Sequence, residues 1–310
     1  MCAWVVGVDE PVLLPVVVSG EAMSGAVTVD TARPMEHNGI VVELVGDMAL
    51  FYDRDSRSQF VHEAYALADP GELAAGVALF PFDFGVPHCP LESYAGANVR
   101  VRYVIRVTIV RSLMQSVVHE QELWVHVYNK PPAINNSIKM EVGIEESLHI
   151  EFEYSSSKYH LRDVIVGKVF FLLVRVPIKF MELALTRSES TGLPQAQAYT
   201  DTQTLAKFEI MDGAPVHGES VPVRFFLGGF PLTPTYHEGI KIFSVRYYLN
   251  LVLVDATDRR YYKQQEIVLW RRDPRRITRT RTRRTRVRLR PGSPPSSPPP
   301  PSESASSGRA

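Results

Sequence analysis

Apolar and polar residues alternate along two stretches of the chain that lie 144 positions apart. In residues 99–109 every odd position is apolar, and in residues 245–253 the same alternation returns. The triplet Val101-Arg102-Tyr103 recurs as Val245-Arg246-Tyr247. A period of two is that of a half-buried β-strand, so both stretches are predicted to be strands.

The repeat continues beyond the turn that follows each stretch. Glu122-Leu123 and Glu266-Ile267 are also 144 positions apart, like the two stretches that precede them. Two β-hairpins with similar patterning can resemble each other by chance. The unchanged spacing across the intervening loop favours duplication of a whole domain.

The remaining patterns predict an all-β protein. Residues 40–45, 148–154 and 221–227 have strand patterning, and residues 164–176 are almost continuously apolar. No long segment shows a helical apolar stripe. Many short strands separated by Gly, Pro, Asn and Asp turns predict β-sandwiches, and 310 residues are enough for two of them.

The net charge of zero hides an acidic body and a basic tail. Residues 271–310 contain 12 of the 34 basic residues and 2 of the 34 acidic ones, so residues 1–270 carry 22 and 32, a net of −10. The arginine tract at 275–290 has a composition that binds nucleic acid or anionic lipid, but it lacks interleaved aromatic residues. A disordered tail without specific nucleic-acid binding is expected, and residues 291–302 are rich in Pro and Ser.

Cysteine content and the N-terminus favour a cytoplasmic protein. Cys2 and Cys89 are the only cysteines, which is too few for a disulfide framework. The apolar N-terminus has no Lys or Arg before Arg33 and is interrupted by Asp9-Glu10, unlike a signal peptide.

Candidates for catalysis are weak. Asp212, His217 and Ser220 share one loop, but a catalytic triad needs convergent geometry rather than proximity along the chain. The nine histidines do not fall at zinc-ligand spacings. Glu151 and Glu153 share a strand face and are interpreted as solvated charges. The sequence predicts no enzyme activity, no cofactor and no metal site.

Several segments together resemble a known family over about residues 16–271. The match is dense after residue 135 and looser before it, where "SYAGANVRVRY" (93–103) and "ADPGEL" (68–73) contribute. The segments closely resemble the arrestin-like subunit of retromer, the vacuolar protein sorting-associated protein twenty-six family. They are "NNSIKMEVGIEESLHIEFEY" (135–154), "KYHLRDVIVGKVFFLLVR" (158–175), "KFEIMDGAPVHGESVPVRFFL" (207–227), "FSVRYYLNLVLVD" (243–255) and "RRYYKQQEIVLWR" (259–271).

This resemblance implies two arrestin-like, immunoglobulin-like β-sandwich domains in tandem. They would span residues 1–132 and 133–274, with a disordered tail at 275–310. It also implies a cytosolic, non-enzymatic subunit recruited to the cytosolic face of endosomes, with indirect membrane association. Its implied partners are the retromer α-solenoid subunit, sorting nexins and the cytosolic tails of membrane cargo.

Two contact regions are implied by matching residues. The loop "EIMDG" places Ile210, Met211 and Asp212 at the solenoid subunit, where two large apolar side chains precede a turn. A cargo peptide and a sorting nexin would lie along the segment that opens the second half, with Tyr262 as a nearby aromatic residue. That segment consists of Ser137, Ile138, Lys139, Met140, Glu141 and Val142.

The chain departs from the family pattern at both ends. Only fifteen unmatched residues precede the segment "VVVSGEAMSG" (16–25), which places an edge hairpin of the first sandwich in doubt, and the arginine-rich tail is unlike the family's usual end. Two other hypotheses stay open. The chain would be a free-standing arrestin-like cargo adaptor outside retromer, or a nucleic-acid binder acting through its basic tail.

Overall fold

A computed structural model describes residues 14–51, 57–112, 114–144, 146–192, 199–236 and 243–275. The expectations for residues 1–13 and for the tail beyond Arg275 lie outside the described residues. No helix in the described ranges is long and apolar enough to cross a membrane. The prediction of an all-β protein is confirmed, because strands make up nearly all of the described regular structure.

The described residues form ten strands before the junction that the sequence predicts near residue 132. They are β1 (Val16–Val18), β2 (Ser24–Thr31), β3 (Met35–His37), β4 (Ile40–Leu50), β5 (Arg57–Ala68), β6 (Gly71–Leu73), β7 (Gly76–Asp83), β8 (Tyr94–Ala95), β9 (Val99–Ile109) and β10 (Val117–His126). A six-stranded sheet has the order β1-β10-β9-β4-β5, with β8 paired to β9. Strands β2 and β7 form a separate pair, as do β3 and β6.

Nine strands follow the junction. They are β11 (Ile138–Ile144), β12 (Leu148–Tyr154), β13 (Lys158–His160), β14 (Val164–Val174), β15 (Ile178–Thr191), β16 (Tyr199–Asp212), β17 (Ser220–Phe226), β18 (Phe243–Asp255) and β19 (Arg260–Trp270), with a 3₁₀ turn at Leu227–Gly229. One sheet has the order β11-β12-β14-β17 and the other β13-β19-β18-β15-β16. Every described strand pairs only with strands from its own half. The exact domain boundaries stay a prediction.

The repeated sequence stretches form equivalent strands, β9 and β18. Leu123 pairs with Tyr103 between β10 and β9, and Ile267 pairs with Tyr247 between β19 and β18, which keeps the offset of 144. The short strand β1 pairs in parallel with residues 124–126 of β10. In the second half, β13 pairs in parallel with residues 268–270 of β19. The two halves therefore share one design, as the alternation predicts.

A buried tyrosine hydroxyl fixes an upstream segment in each half. The Leu91 N–H donates to the Tyr103 hydroxyl, which itself donates to the Leu91 carbonyl at 2.8 Å. In the second half the Thr233 N–H donates to the Tyr247 hydroxyl at 3.1 Å. Both tyrosines are completely buried, so each hydroxyl needs this partner to avoid an unsatisfied polar group.

The segments fixed by these tyrosines carry the residues that join the two halves. Tyr94 and Tyr236, which pair with the equivalent residues Val101 and Val245, contact each other edge to face with ring centroids 5.6 Å apart. The buried apolar side chains of both halves form one continuous core. The junction is therefore part of the core rather than a hydrated linker.

A buried ion pair crosses this junction. Glu92 of the first half is 3 % exposed, and its carboxylate accepts hydrogen bonds from Arg271 Nη2 at 2.6 Å and from Arg271 Nε at 2.9 and 3.1 Å. Burial raises the pKa of Glu92, while Arg271 and the Val127 N–H oppose that rise. The sequence groups Arg271 with the basic tail, but the structure makes it a partner of the core. Tyr236 strengthens the contact by donating its hydroxyl hydrogen to the Glu92 carbonyl.

A second buried carboxylate crosses the junction in the opposite direction. Glu189 of β15 accepts hydrogen bonds from the Tyr94 hydroxyl at 2.6 Å and from the Asn98 N–H. Gly96 lies between these two donors, and a Cβ at this position would collide with Glu189 Oε2. The segment "SYAGAN" therefore wraps around a side chain from the other half.

Replacing Glu189 with Ala is expected to lower the free energy of unfolding by about 3 kcal/mol. The change leaves the Tyr94 hydroxyl and the Asn98 N–H buried without partners, at about 1–3 kcal/mol each. Urea denaturation measures the effect. Asp201→Ala is the control, because Asp201 lies opposite Glu189 on β16 and is exposed, so its loss costs less than about 0.5 kcal/mol. Equal effects of the two changes would contradict the assigned role of Glu189.

Stability is also expected to fall on mild acidification because of His126. Burial and then Arg271 lower the pKa of His126 to about 4. The imidazole of the unfolded chain has a pKa of about 6.5. Between these values the unfolded state binds a proton that the folded state does not, so the free energy of unfolding decreases as the pH falls.

His126→Gln should therefore lose less stability than the wild type between about pH 7 and pH 5. Urea denaturation at several pH values tests this difference. The pKa of His160 is also lowered, but His160 is present in both proteins and its effect cancels. Parallel pH curves for the two proteins would show that His126 is not the source.

Candidate functional site

The residues predicted to dock a solenoid partner lie at the end of strand β16, not in a loop. Ile210, Met211 and Asp212 are its last three residues, and Gly213 turns the chain with a φ of +92°. The expectation of a loop was wrong because the Asp-Gly turn begins one position later than the apolar pair. Among the described residues, strand β16 is the edge of the five-stranded sheet and pairs only with β15.

A β-bulge orients this apolar pair. Met211 pairs with Met181, and the next pair is Glu209 with Glu182, so Ile210 has no residue directly opposite. Such an extra residue bends the strand and changes the direction of its side chains. Ile210 and Met211 both pack against the core and both stay half-buried. They are therefore anchored on one side and open to solvent on the other.

Phe208 extends the same apolar surface, and sequence reasoning missed it. Its side chain is 49 % exposed, and its ring contacts Phe225 edge to face at a centroid distance of 5.3 Å. The alternation within "KFEIMDG" predicts that the Phe208 side chain faces the core. Its exposure follows instead from the position of β16 at the edge of the sheet. We call Phe208, Ile210 and Met211 the docking edge.

The segment predicted to bind cargo forms the edge of the other sheet. Strand β11 pairs only with β12 in the described chain, and Ser137 is the exposed residue before it. Ile138, Met140 and Val142 are half-buried and pack against the core. Lys139 and Glu141 alternate with them and are exposed. One backbone edge of this strand is thus available for pairing with an added strand.

An open groove of about 720 Å³ runs beside this edge, and we call it the β11 groove. Its lining combines five charged side chains with two apolar side chains from β14, Phe170 and Leu172. The complete lining is Lys139, Met140, Glu141, Glu151, Phe152, Glu153, Phe170, Leu172 and Lys263. A mixed lining of this kind suits an extended peptide with both charged and apolar side chains.

Tyr262 does not line the β11 groove. The Tyr262 side chain is 75 % exposed, and Tyr262 pairs with Val252 on β18. Its side chain lies on the opposite face of β19 from the side chain of Lys263. The period of two means that adjacent residues of a strand face opposite sides. Lys263, which sequence reasoning missed, is the β19 residue that reaches the groove.

A second pocket, which is partly open to solvent, lies in the first half. It has a volume of about 480 Å³ and separates the β2–β7 pair from strands β9 and β10. Its lining is mostly apolar and includes Val27, Val29, Val107 and Ile109, with His119 and Gln121 as polar members. The β2–β7 pair is thus incompletely packed against the six-stranded sheet in the described residues.

The three residues considered for catalysis are all exposed. Asp212, His217 and Ser220 lie in or beside the turn after β16, and Glu151 and Glu153 face outward from β12. Asp212 pairs with Phe180 on β15, and Ser220 pairs with Phe170 on β14.

Comparison with known proteins shows which family the chain resembles. The family model described as vacuolar protein sorting-associated protein 26 matches residues 10–258. The vacuolar protein sorting-associated protein 26 of Dictyostelium discoideum is 52% identical over 260 residues, which cover 83% of this chain and 74% of that protein. The 26B protein of Mus musculus is 53% identical over 256 residues, covering 82% and 75%. The 26B-A protein of Xenopus laevis is equally similar, at 53% over 256 residues.

Proposed function

Because the chain belongs to the vacuolar protein sorting-associated protein 26 family, we propose that it is a non-enzymatic adaptor subunit of the retromer coat. In this role it sorts membrane cargo from endosomes to the Golgi and to the plasma membrane. It holds one end of the α-solenoid subunit and helps sorting nexins to bind cargo tails. It reaches the cytosolic face of endosomes through these partners.

The docking edge is the observation that best supports attachment to a solenoid. Phe208, Ile210 and Met211 form an apolar surface at the free edge of a sheet, and the bulge holds Ile210 and Met211 only half-buried. Large apolar side chains of this kind act as anchors when a partner covers them. Asp212 is exposed beside them and is a candidate for a polar contact at the rim.

The β11 groove supports cargo binding by strand addition. The added peptide would pair with the free backbone edge of β11 from Ser137 to Val142, which supplies affinity without reading sequence. The side-chain preference would come from Phe170 and Leu172 and from the charges of Lys139, Glu141 and Lys263. The docking edge lies on β16 and the edge for strand addition lies on β11, and these two strands belong to different sheets of the second half.

The double substitution Ile210→Asp/Met211→Asn is expected to weaken binding to the purified solenoid subunit about thirtyfold or more. That loss corresponds to about 2 kcal/mol, the typical value for removing an anchor residue. Isothermal titration calorimetry measures it. Val77→Asp is the control, because Val77 is 70 % exposed on β7 in the first half.

Two results would contradict this part of the proposal. Equal binding of the double variant and the wild type would show that the docking edge is not part of the interface with the solenoid subunit. A wild type that binds no solenoid subunit would defeat the retromer assignment and favour a free-standing adaptor.

Cargo binding is expected to depend on Lys263 more than on Tyr262. Lys263→Ala and Met140→Asp should each weaken binding of a cytosolic cargo tail, presented with a sorting nexin, by about tenfold, because both residues line the β11 groove. Tyr262→Ala should change it little. Fluorescence anisotropy of a labelled tail peptide measures these affinities. A larger loss of affinity for Tyr262→Ala than for Lys263→Ala would show that the peptide binds the outer face of β19 instead.

A further inference from the structure

Three side chains that commonly bind metal ions come together on the outer face of the β11–β12 hairpin. The carboxylates of Glu141 and Glu151 and the imidazole of His149 each offer one ligand atom, and these atoms all lie within 4.8 Å of one another. The distance from His149 Nε2 to Glu151 Oε1 is 3.9 Å. The sequence shows no zinc-ligand spacing here, because the ligands come from two paired strands.

The strand register explains how the cluster forms. Glu141 pairs directly with Glu151, and His149 lies two residues before Glu151 on the same face of β12. The residue opposite His149 is Gly143. A Cβ on Gly143 would lie 3.6 Å from His149 Nδ1, at ordinary van der Waals distance, so the imidazole packs over this position of β11.

The pairing of Glu141 with Glu151 is electrostatically unfavourable without a cation. Like charges directly opposite each other destabilise a strand pair. The neighbouring pair is balanced, because Lys139 lies 3.7 Å from Glu153. Within the described residues no Lys or Arg forms a salt bridge with Glu141 or Glu151, although Lys139 and Lys263 line the same groove, and His149 lies 3.9 Å from Glu151. Two negative charges thus face each other without a paired lysine or arginine among the described residues.

We propose that Glu141, His149 and Glu151 bind a zinc ion. An imidazole nitrogen and carboxylate oxygens are ordinary zinc ligands, whereas Ca²⁺ and Mg²⁺ prefer oxygen ligands alone. Three protein ligands and one water complete a tetrahedral site. Ligands about 2.1 Å from one tetrahedral ion lie about 3.4 Å apart, so the exposed side chains need to close by about 1 Å.

The bound ion would connect the edge strand to its neighbour. Glu141 belongs to β11, while His149 and Glu151 belong to β12, so the metal bridges the two strands outside their backbone ladder. It would also neutralise the acidic end of the β11 groove, which Glu141 and Glu151 line. The zinc site does not depend on the proposed function, because it follows from the hairpin alone.

The test is a titration of the full, tag-free chain with Zn²⁺ by isothermal titration calorimetry, and with Co²⁺ by visible absorption. The wild type is expected to bind one equivalent of Zn²⁺, to show the intense absorption of tetrahedral Co²⁺, and to melt at a higher temperature when Zn²⁺ is added. A wild type without saturable binding at millimolar Zn²⁺ would overturn the proposal.

Matched variants locate the ion. His149→Gln and Glu141→Gln should each lower the Zn²⁺ affinity at least tenfold and abolish the Co²⁺ absorption, while melting like the wild type without metal. Glu153→Gln removes a carboxylate from the same face, and His62→Gln removes the exposed imidazole that lies 2.8 Å from Glu43. Both controls should bind like the wild type. If His149→Gln binds as tightly as the wild type, or if His62→Gln abolishes binding, the assigned site is wrong.

Discussion

Two buried carboxylates that are satisfied across the junction determine how the halves of this protein fit together. A buried carboxylate without partners is too costly for a folded protein to keep. Glu92 of the first half obtains its ion pair from Arg271 at the end of the second half. Glu189 of the second half obtains its hydrogen bonds from Tyr94 and Asn98 of the first. Neither charge can be satisfied unless both halves are folded and in contact.

The repeated design explains why the junction has this symmetry. Each half fixes a segment with a buried tyrosine hydroxyl, and that segment places Tyr94 or Tyr236 at the junction. Tyr94 and Tyr236 are thus equivalent residues that contact each other at the junction. Their hydroxyls bind different partners, the Glu189 carboxylate and the Glu92 carbonyl. The edges that serve the proposed contacts, β11 and β16, belong to the two sheets of the second half. They are held in place by this half's own core and by its attachment to the first half.

The sequence predicted the strands well because alternation reports directly on which residues face a core. The family resemblance supplied the candidate contact residues, and the structure adds that they lie on the edge strands β11 and β16. The sequence could not predict the bulge at Ile210, which depends on how β15 and β16 align. Nor could the sequence show whether Tyr262 or Lys263 lines the β11 groove. That depends on the position of β19 beside β11. Arg271 appeared to belong to a basic tail because its partner, Glu92, is distant in the chain.

Gly96 has a consequence for interpreting natural variation in this chain. Its backbone does not adopt the left-handed conformation that usually makes a glycine irreplaceable. The space beside it is instead occupied by the carboxylate of Glu189, from a strand more than ninety positions later. An inherited Gly-to-Ala change there would look harmless by local criteria. It would nevertheless displace a charged group from the other half, so its severity must be judged from distant residues.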